Sequence, residues 1–127
     1  MLFFLLFCGI AKAEPLTIIL PAAEDSHAIN ARIFSKYLKN YLEKDERVSK
    51  VIDLGVNSLD DKTDYPNIGF ALATEIAKGN ADRGLLVCGT GIGMAISANK
   101  VEGIRATTVQ DPYSLERAIL SNNCQVI

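Results

Sequence analysis

Short apolar runs alternate with amphipathic stretches along most of this chain. Leu16-Thr17-Ile18-Ile19-Leu20 is apolar and β-branched, which predicts a first strand. From Ile29 to Leu42 the apolar positions Ile29, Ile33, Phe34, Tyr37, Leu38 and Tyr41 recur at helical spacing. Val48 to Leu54 reads as a second strand, and Asn57 to Asp64 is polar and turn-rich. Tyr65-Pro66 opens a second helix that runs to Lys78, with Pro66 suited to a first turn and Gly79 to the stop. Leu85 to Cys88 predicts strand three and Gly93 to Asn99 helix three. Ile104 to Val109 predicts strand four, and Pro112 begins a helix ending near Asn122. Gln125-Val126-Ile127 reads as the opening of a fifth strand.

Strands alternating with helices predict βαβ units, a parallel sheet and right-handed crossovers. Ligands of such sheets sit at the carboxyl ends of the strands. The loops to watch are therefore Pro21 to His27, Cys88 to Gly93 and Gln110 to Tyr113.

Composition narrows the function classes. A chain of 127 residues with 49% apolar content suits one domain with its own core. The net charge is −2 without a basic block, which argues against nucleic-acid binding. His27 is the single histidine, so a histidine-built metal site is not expected. Cys8, Cys88 and Cys124 do not make a disulfide framework. Residues 1–15 stand apart from the domain expected over 16–127. Met1 to Ile10 is apolar, and Ala11-Lys12-Ala13 has the small-x-small pattern of a signal-peptidase site. The run is too short to span a bilayer, and it lacks the usual positive flank. A secretory signal and an upstream extension or misplaced start codon both fit.

The chemistry concentrates in Cys88-Gly89-Thr90-Gly91-Ile92-Gly93. A glycine-rich turn into a helix presents backbone N–H groups to a phosphate, a carboxylate or a forming oxyanion. No Lys-Ser/Thr pair follows, so this is no Walker loop. The pattern is G-x-G-x-G at the third βα turn, unlike a dinucleotide fingerprint at the first. A tight turn with a small buried cysteine is the plain alternative. A thiol beside a helix start can also act as base or nucleophile.

DYP at 64–66 and ADRGLLVCGTGIGMAISANKVEGIRA at 81–106 closely resemble the ribose-5-phosphate isomerase type B family, which includes galactose-6-phosphate isomerase subunits. The resemblance runs from about Leu16 to Ile127. It implies a three-layer αβα fold with a Rossmann-like or flavodoxin-like parallel sheet. It also implies a homodimer or dimer of dimers with sites at the subunit interface, without metal or cofactor. The implied reaction is aldose–ketose isomerisation of a sugar phosphate, with no nucleic acid or membrane involved and a cytoplasmic location. By position, Cys88 matches the family's base, Gly89 to Gly93 its oxyanion loop, and Thr90 a residue that assists at sugar oxygens. Some family members instead place a glutamate a few residues on, where this chain has Met94. Tyr65 matches a substrate-pocket tyrosine. Thus Gly89, Gly91, Ile92 and Gly93 are expected at the substrate.

Departures from the family pattern carry information too. In PAAEDSHAIN the family's first-loop aspartate corresponds to Asp25, or to its neighbour Glu24, and Ser26 stands where many members have histidine. Ser121-Asn122-Asn123 replaces a His-Asn pair: Asn122 keeps a substrate-binding match, but Ser121 replaces a ring-opening histidine. The family continues past the position of Ile127 through a strand and an arginine-bearing helix, so a truncated chain is expected, less stable and poorly dimeric. Loss of the ring-opening acid points to an acyclic four-carbon substrate, as in relatives resembling tetrulose-4-phosphate isomerases. The alternative expectation is a catalytically impaired sugar-phosphate binder or one subunit of a hetero-oligomer.

Overall fold

The computed structural model describes residues 16–19, 28–55 and 63–127, with side chains from residue 33 onward. The leader at 1–15 and the loop holding Asp25, Ser26 and His27 lie outside the described residues. Seven elements follow one another: β1 (Leu16–Ile19), α1 (Ala28–Leu42), β2 (Val48–Ile52), α2 (Tyr65–Ala77), β3 (Arg83–Gly84), α3 (Ile92–Ala98) and α4 (Pro112–Leu120).

β1 pairs in parallel with both β2 and β3, giving the order β2-β1-β3. The sheet then continues through single bridges. Val126 pairs in parallel with Gly84 on one side and with Ala106 on the other. Backbone bonds extend that contact: Leu86 N–H donates to the Ile127 carbonyl at 2.8 Å, and Thr107 N–H to the Val126 carbonyl at 3.2 Å. The segment around Val126 therefore lies between β3 and the segment around Ala106.

Three strand expectations are adjusted by this geometry. The third strand is assigned at Arg83–Gly84, short of the expected Leu85 to Cys88. The fourth and fifth reduce to bridges at Ala106 and Val126. The ladder to Val126 uses the Arg105 carbonyl and the Thr107 N–H. The N–H and carbonyl of Ala106 face the other way and are taken by the Asn99 side chain, at 2.9 and 2.7 Å, which closes that edge.

Helix α2 begins as expected, with Pro66 in its first turn and Asp64 extended before it. It lies directly on β3. A Cβ added to Gly84 would stand 2.4 Å from Leu72 Cδ2 and 2.9 Å from Ile76 Cδ1, so only glycine permits this approach. The main core joins Leu72, Ala73, Ile76, Ala98, Ile104 and Val126, with Leu86 packed against it. Leu85 instead packs with Leu115 and Ile119 of α4. Helix α1 departs from its expected apolar face. Ser35, Leu38 and Leu42 form the buried stripe, while Ile33, Phe34, Tyr37 and Tyr41 stay largely exposed.

Candidate active site

Cys88 stands where the third strand segment leaves the sheet. Leu86, two residues earlier, is anchored to Ile127 through its N–H. The cysteine is half-buried and packs against Ile68 and Met94, so its position is fixed by the core of α2 and α3. Met94 is fully buried there and serves packing.

The chain then turns through Gly89 and Thr90 into Gly91, which precedes α3. Gly91 is left-handed, at φ 76° and ψ −19°, and no side chain caps this helix start. Glycine adopts such a φ without the steric cost that a Cβ would bring. The turn directs the Gly91 N–H onto the Cys88 sulfur, with N to Sγ of 2.9 Å. Thr90 Oγ1 accepts a longer bond, 3.4 Å, from the Ile92 N–H. Gly93 lies under the ring of Tyr65; an added Cβ would stand 2.7 Å from Tyr65 Cε2 and 2.9 Å from its hydroxyl. Tyr65 thus meets the loop through Gly93.

A cavity of about 310 Å³ opens beside the cysteine, and Cys88, Gly89, Thr90 and Gly91 line it. Its other polar lining comes from Thr107, Thr108 and Gln110. The rest is apolar, including Phe34 of α1 and Leu115 of α4. A mostly apolar cleft with a few convergent polar groups is the usual form of a small-molecule site.

The expected residues divide into three groups. Cys88, Gly89, Thr90 and Gly91 come together at the cavity wall. Ile92, Gly93 and Tyr65 do not line it: the first two follow Gly91 in the chain, Tyr65 meets Gly93, and the Ile92 side chain is 57% exposed. Asn122 lies elsewhere, just past α4, where its Nδ2 donates to the Arg117 carbonyl at 2.9 Å. Ser121 beside it accepts from Arg117 Nη1 at 3.2 Å. Asp25 and Ser26 lie outside the described residues. Thr107 and Thr108 escaped sequence reasoning, although they close the run Ile104 to Val109 at the carboxyl edge where ligands were expected.

Among the described residues, no group of three His, Cys, Asp or Glu side chains could hold a metal ion. No helix among them is long and apolar enough to cross a membrane. Burial pushes the Cys124 thiol up from its ordinary value, with Arg105 and Arg83 opposing.

The sequence model of the Ribose/Galactose Isomerase family matches residues 25–127. A D-erythrulose-4-phosphate isomerase of Mycolicibacterium smegmatis is 54% identical over 94 residues, covering 74% of this chain and 62% of that relative. A D-erythrulose-4-phosphate isomerase of Pectobacterium atrosepticum is 43% identical over 103 residues, covering 81% of this chain and 64% of its own. This chain thus spans less than two thirds of either curated relative. Among solved structures, the ribose-5-phosphate isomerase B of Mycoplasma genitalium with bound ribulose 5-phosphate superposes with a TM-score of 0.68 at 32% identity, over 89% of this chain and 71% of the other. The ribose-5-phosphate isomerase B of Clostridium thermocellum gives 0.73 at 32% identity, over 87% and 70%. With its parallel α/β architecture of the Rossmann-like kind and its cysteine–glycine loop, this chain belongs to the ribose/galactose isomerase family.

Proposed function

We propose that this protein is an aldose–ketose isomerase of a small sugar phosphate, working through an enediolate without a metal or cofactor. The observation that carries this reading is Cys88 at a cavity wall, its sulfur fixed by the Gly91 N–H at 2.9 Å. Isomerisation moves one proton between C1 and C2 and builds negative charge on the adjacent oxygen. In this reading the Cys88 thiolate takes the proton from one carbon and returns it to the other, so no oxidant is consumed. The developing oxyanion needs donors already aimed at it. With the Gly91 N–H on the sulfur and the Ile92 N–H on Thr90 Oγ1, the remaining loop amides of Gly89, Thr90 and Gly93 serve as the oxyanion donors. The Thr90 hydroxyl, only loosely engaged, serves a sugar oxygen.

Relatives named for erythrulose 4-phosphate, with Ser121 in place of a ring-opening histidine, favour a four-carbon substrate. A tetrose esterified at its terminal hydroxyl cannot close a furanose ring and requires no ring-opening acid. Serine cannot supply an acid with a pKa near 7. Asn122, which does not line the Cys88 cavity, enters this scheme through a homodimer in which each copy completes its partner's site. Support comes from Ile92 and Ile96, one turn apart on α3 and each 57% exposed, beside Gly93. Asp25 and Ser26 join the substrate from the first loop. A three-layer arrangement is part of the same proposal, supported by adjacent Leu85 and Leu86 packing against different helices. So is a cytoplasmic location, where sugar phosphates are made and consumed.

The test compares kcat/KM for D-erythrulose 4-phosphate and ribose 5-phosphate. A clear preference for the first is expected, and Ser121→His should raise pentose turnover selectively. Equal values would defeat the acyclic-substrate reading. Binding without turnover of either would defeat the isomerase reading.

A further inference from the structure

We infer that Thr108 is a positioning residue for the Cys88 base: its methyl group occupies the place of a side chain at Gly91 and so keeps the Gly91 N–H on the cysteine sulfur. A Cβ built on Gly91 would stand 2.7 Å from Thr108 Cγ2. The methyl therefore covers the one face of Gly91 that the residue itself leaves open. Gly91 needs such a neighbour. It is a left-handed glycine at a helix start with no side-chain cap, the least restrained kind of backbone.

The Thr108 side chain is exposed, but the backbone leading to it is anchored. Ala106, two residues earlier and on the same side of an extended segment, is clamped at both backbone groups by Asn99, the residue just after α3. Thr107 between them donates to Val126 at 3.2 Å, in the middle of the sheet. The segment 106–108 thus braces α3 at both ends, through Asn99 behind and Gly91 in front. Thr108 also lines the cavity that Cys88 borders, so a shift of its methyl is felt at the reacting sulfur. The Thr108 hydroxyl makes no hydrogen bond within the described residues, which lets methyl and hydroxyl be tested apart.

The kinetic part of the test rests on the isomerase reading, and the chemical part does not. Thr108→Ser removes the methyl and keeps the hydroxyl; Thr108→Val does the reverse at nearly the same size. The readouts are kcat and KM on D-erythrulose 4-phosphate, thermal midpoint, and the rate of Cys88 alkylation by iodoacetamide, mapped by peptide mass. Cys124, 5% exposed, serves as the internal reference thiol. Thr108→Ser should lower kcat roughly tenfold, the scale of a small misplacement of a reacting group, without a matching rise in KM or loss of stability. Its Cys88 alkylation rate should depart from wild type, and Thr108→Val, which keeps the methyl, should bring the alkylation rate back. Wild-type kcat and alkylation in Thr108→Ser, or an alkylation rate changed equally in both variants, would overturn the proposal. If the unaltered protein turns over no sugar phosphate, the isomerase reading falls, and the alkylation rates alone decide the role of Thr108.

Discussion

Helices α3 and α4 both start near the carboxyl edge of the sheet, and their first turns are finished in opposite ways. At α4 the chain seals its own helix. Asp111 is extended, at φ −147° and ψ 160°, and its Oδ1 accepts from the Ser114 N–H at 2.9 Å. The Ser114 hydroxyl donates to the other carboxylate oxygen. These bonds hold the Asp111 carboxyl below its ordinary range. At α3 the capping position holds a glycine, which has no side chain to offer, and its own N–H goes to a sulfur. Every helix start leaves amide donors that need a partner. At α4 a carboxylate is the partner; at α3 the partners are the Cys88 sulfur and, more loosely, the Thr90 hydroxyl. The first solution serves stability, and the second ties the helix start to the Cys88 side chain.

The strongest way to break this contrast is at the sulfur. Cys88→Ser should lower kcat by about a hundredfold or more, each tenfold corresponding to about 1.4 kcal/mol of barrier. Its thermal midpoint should stay close to wild type, and retained activity would remove the chemical role of the open helix start. Next comes Gly91→Ala, which places a Cβ in a left-handed residue and against Thr108. Backbone strain alone should cost about 1–2 kcal/mol. Combining it with Thr108→Ser should recover part of the stability measured by urea unfolding, because the collision is with the methyl. Simple additivity would show that the two residues are not coupled.

The sealed helix should respond in stability alone. Asp111→Ala should lower the urea midpoint at pH 7 and leave kcat unchanged. The sign with pH follows from the depressed carboxyl. Its contribution is complete above the unfolded value, about 3.9, and is lost as pH falls through the lower folded value. Wild type and variant should therefore converge in acid, and a gap independent of pH would assign the effect to something other than the charged cap. The smallest effect is expected at Asp45. Its hydrogen bonds from Arg47, in the turn between α1 and β2, bring its pKa to about 2. Asp45→Asn should narrow stability slightly at pH 7, the difference vanishing between about pH 4 and pH 2, with turnover untouched.

Local pattern explains most of what the sequence made readable. The period of α2, Pro66 at its start and Gly79 after its end are short-range signals, and the helix forms at Tyr65–Ala77 close to the expected limits. The Cys88 loop announced itself because cysteine and glycines at a strand-to-helix turn are chemically distinctive. Two things were not local. The segment at Val126 reads as a fifth strand from its own residues, but its place between β3 and the Ala106 segment depends on partners far away in the chain. Helix α1 shows the second limit: Ile33, Phe34, Tyr37 and Tyr41 have helical spacing, yet burial follows Leu38 and Leu42, because the sheet and its neighbours choose the face. Thr108 was missed for a related reason. A threonine near a strand end carries no signal until the fold sets it against Gly91.

The central place of Val126 has a consequence for the order in which this molecule can assemble. Its neighbours on either side, at Gly84 and Ala106, are made earlier in translation, and neither can pair across the gap without it. Helices α2 and α3 can begin to pack while the ribosome is still working. The join between Gly84 and Ala106 must wait until residues 125–127 have emerged, a long-range closure of the kind that slows folding. During that interval Leu86 lacks its hold on Ile127, and the turn that carries Cys88 is held only by its packing on Ile68 and Met94. A nascent chain paused before this segment should expose a cysteine that the finished protein keeps in place.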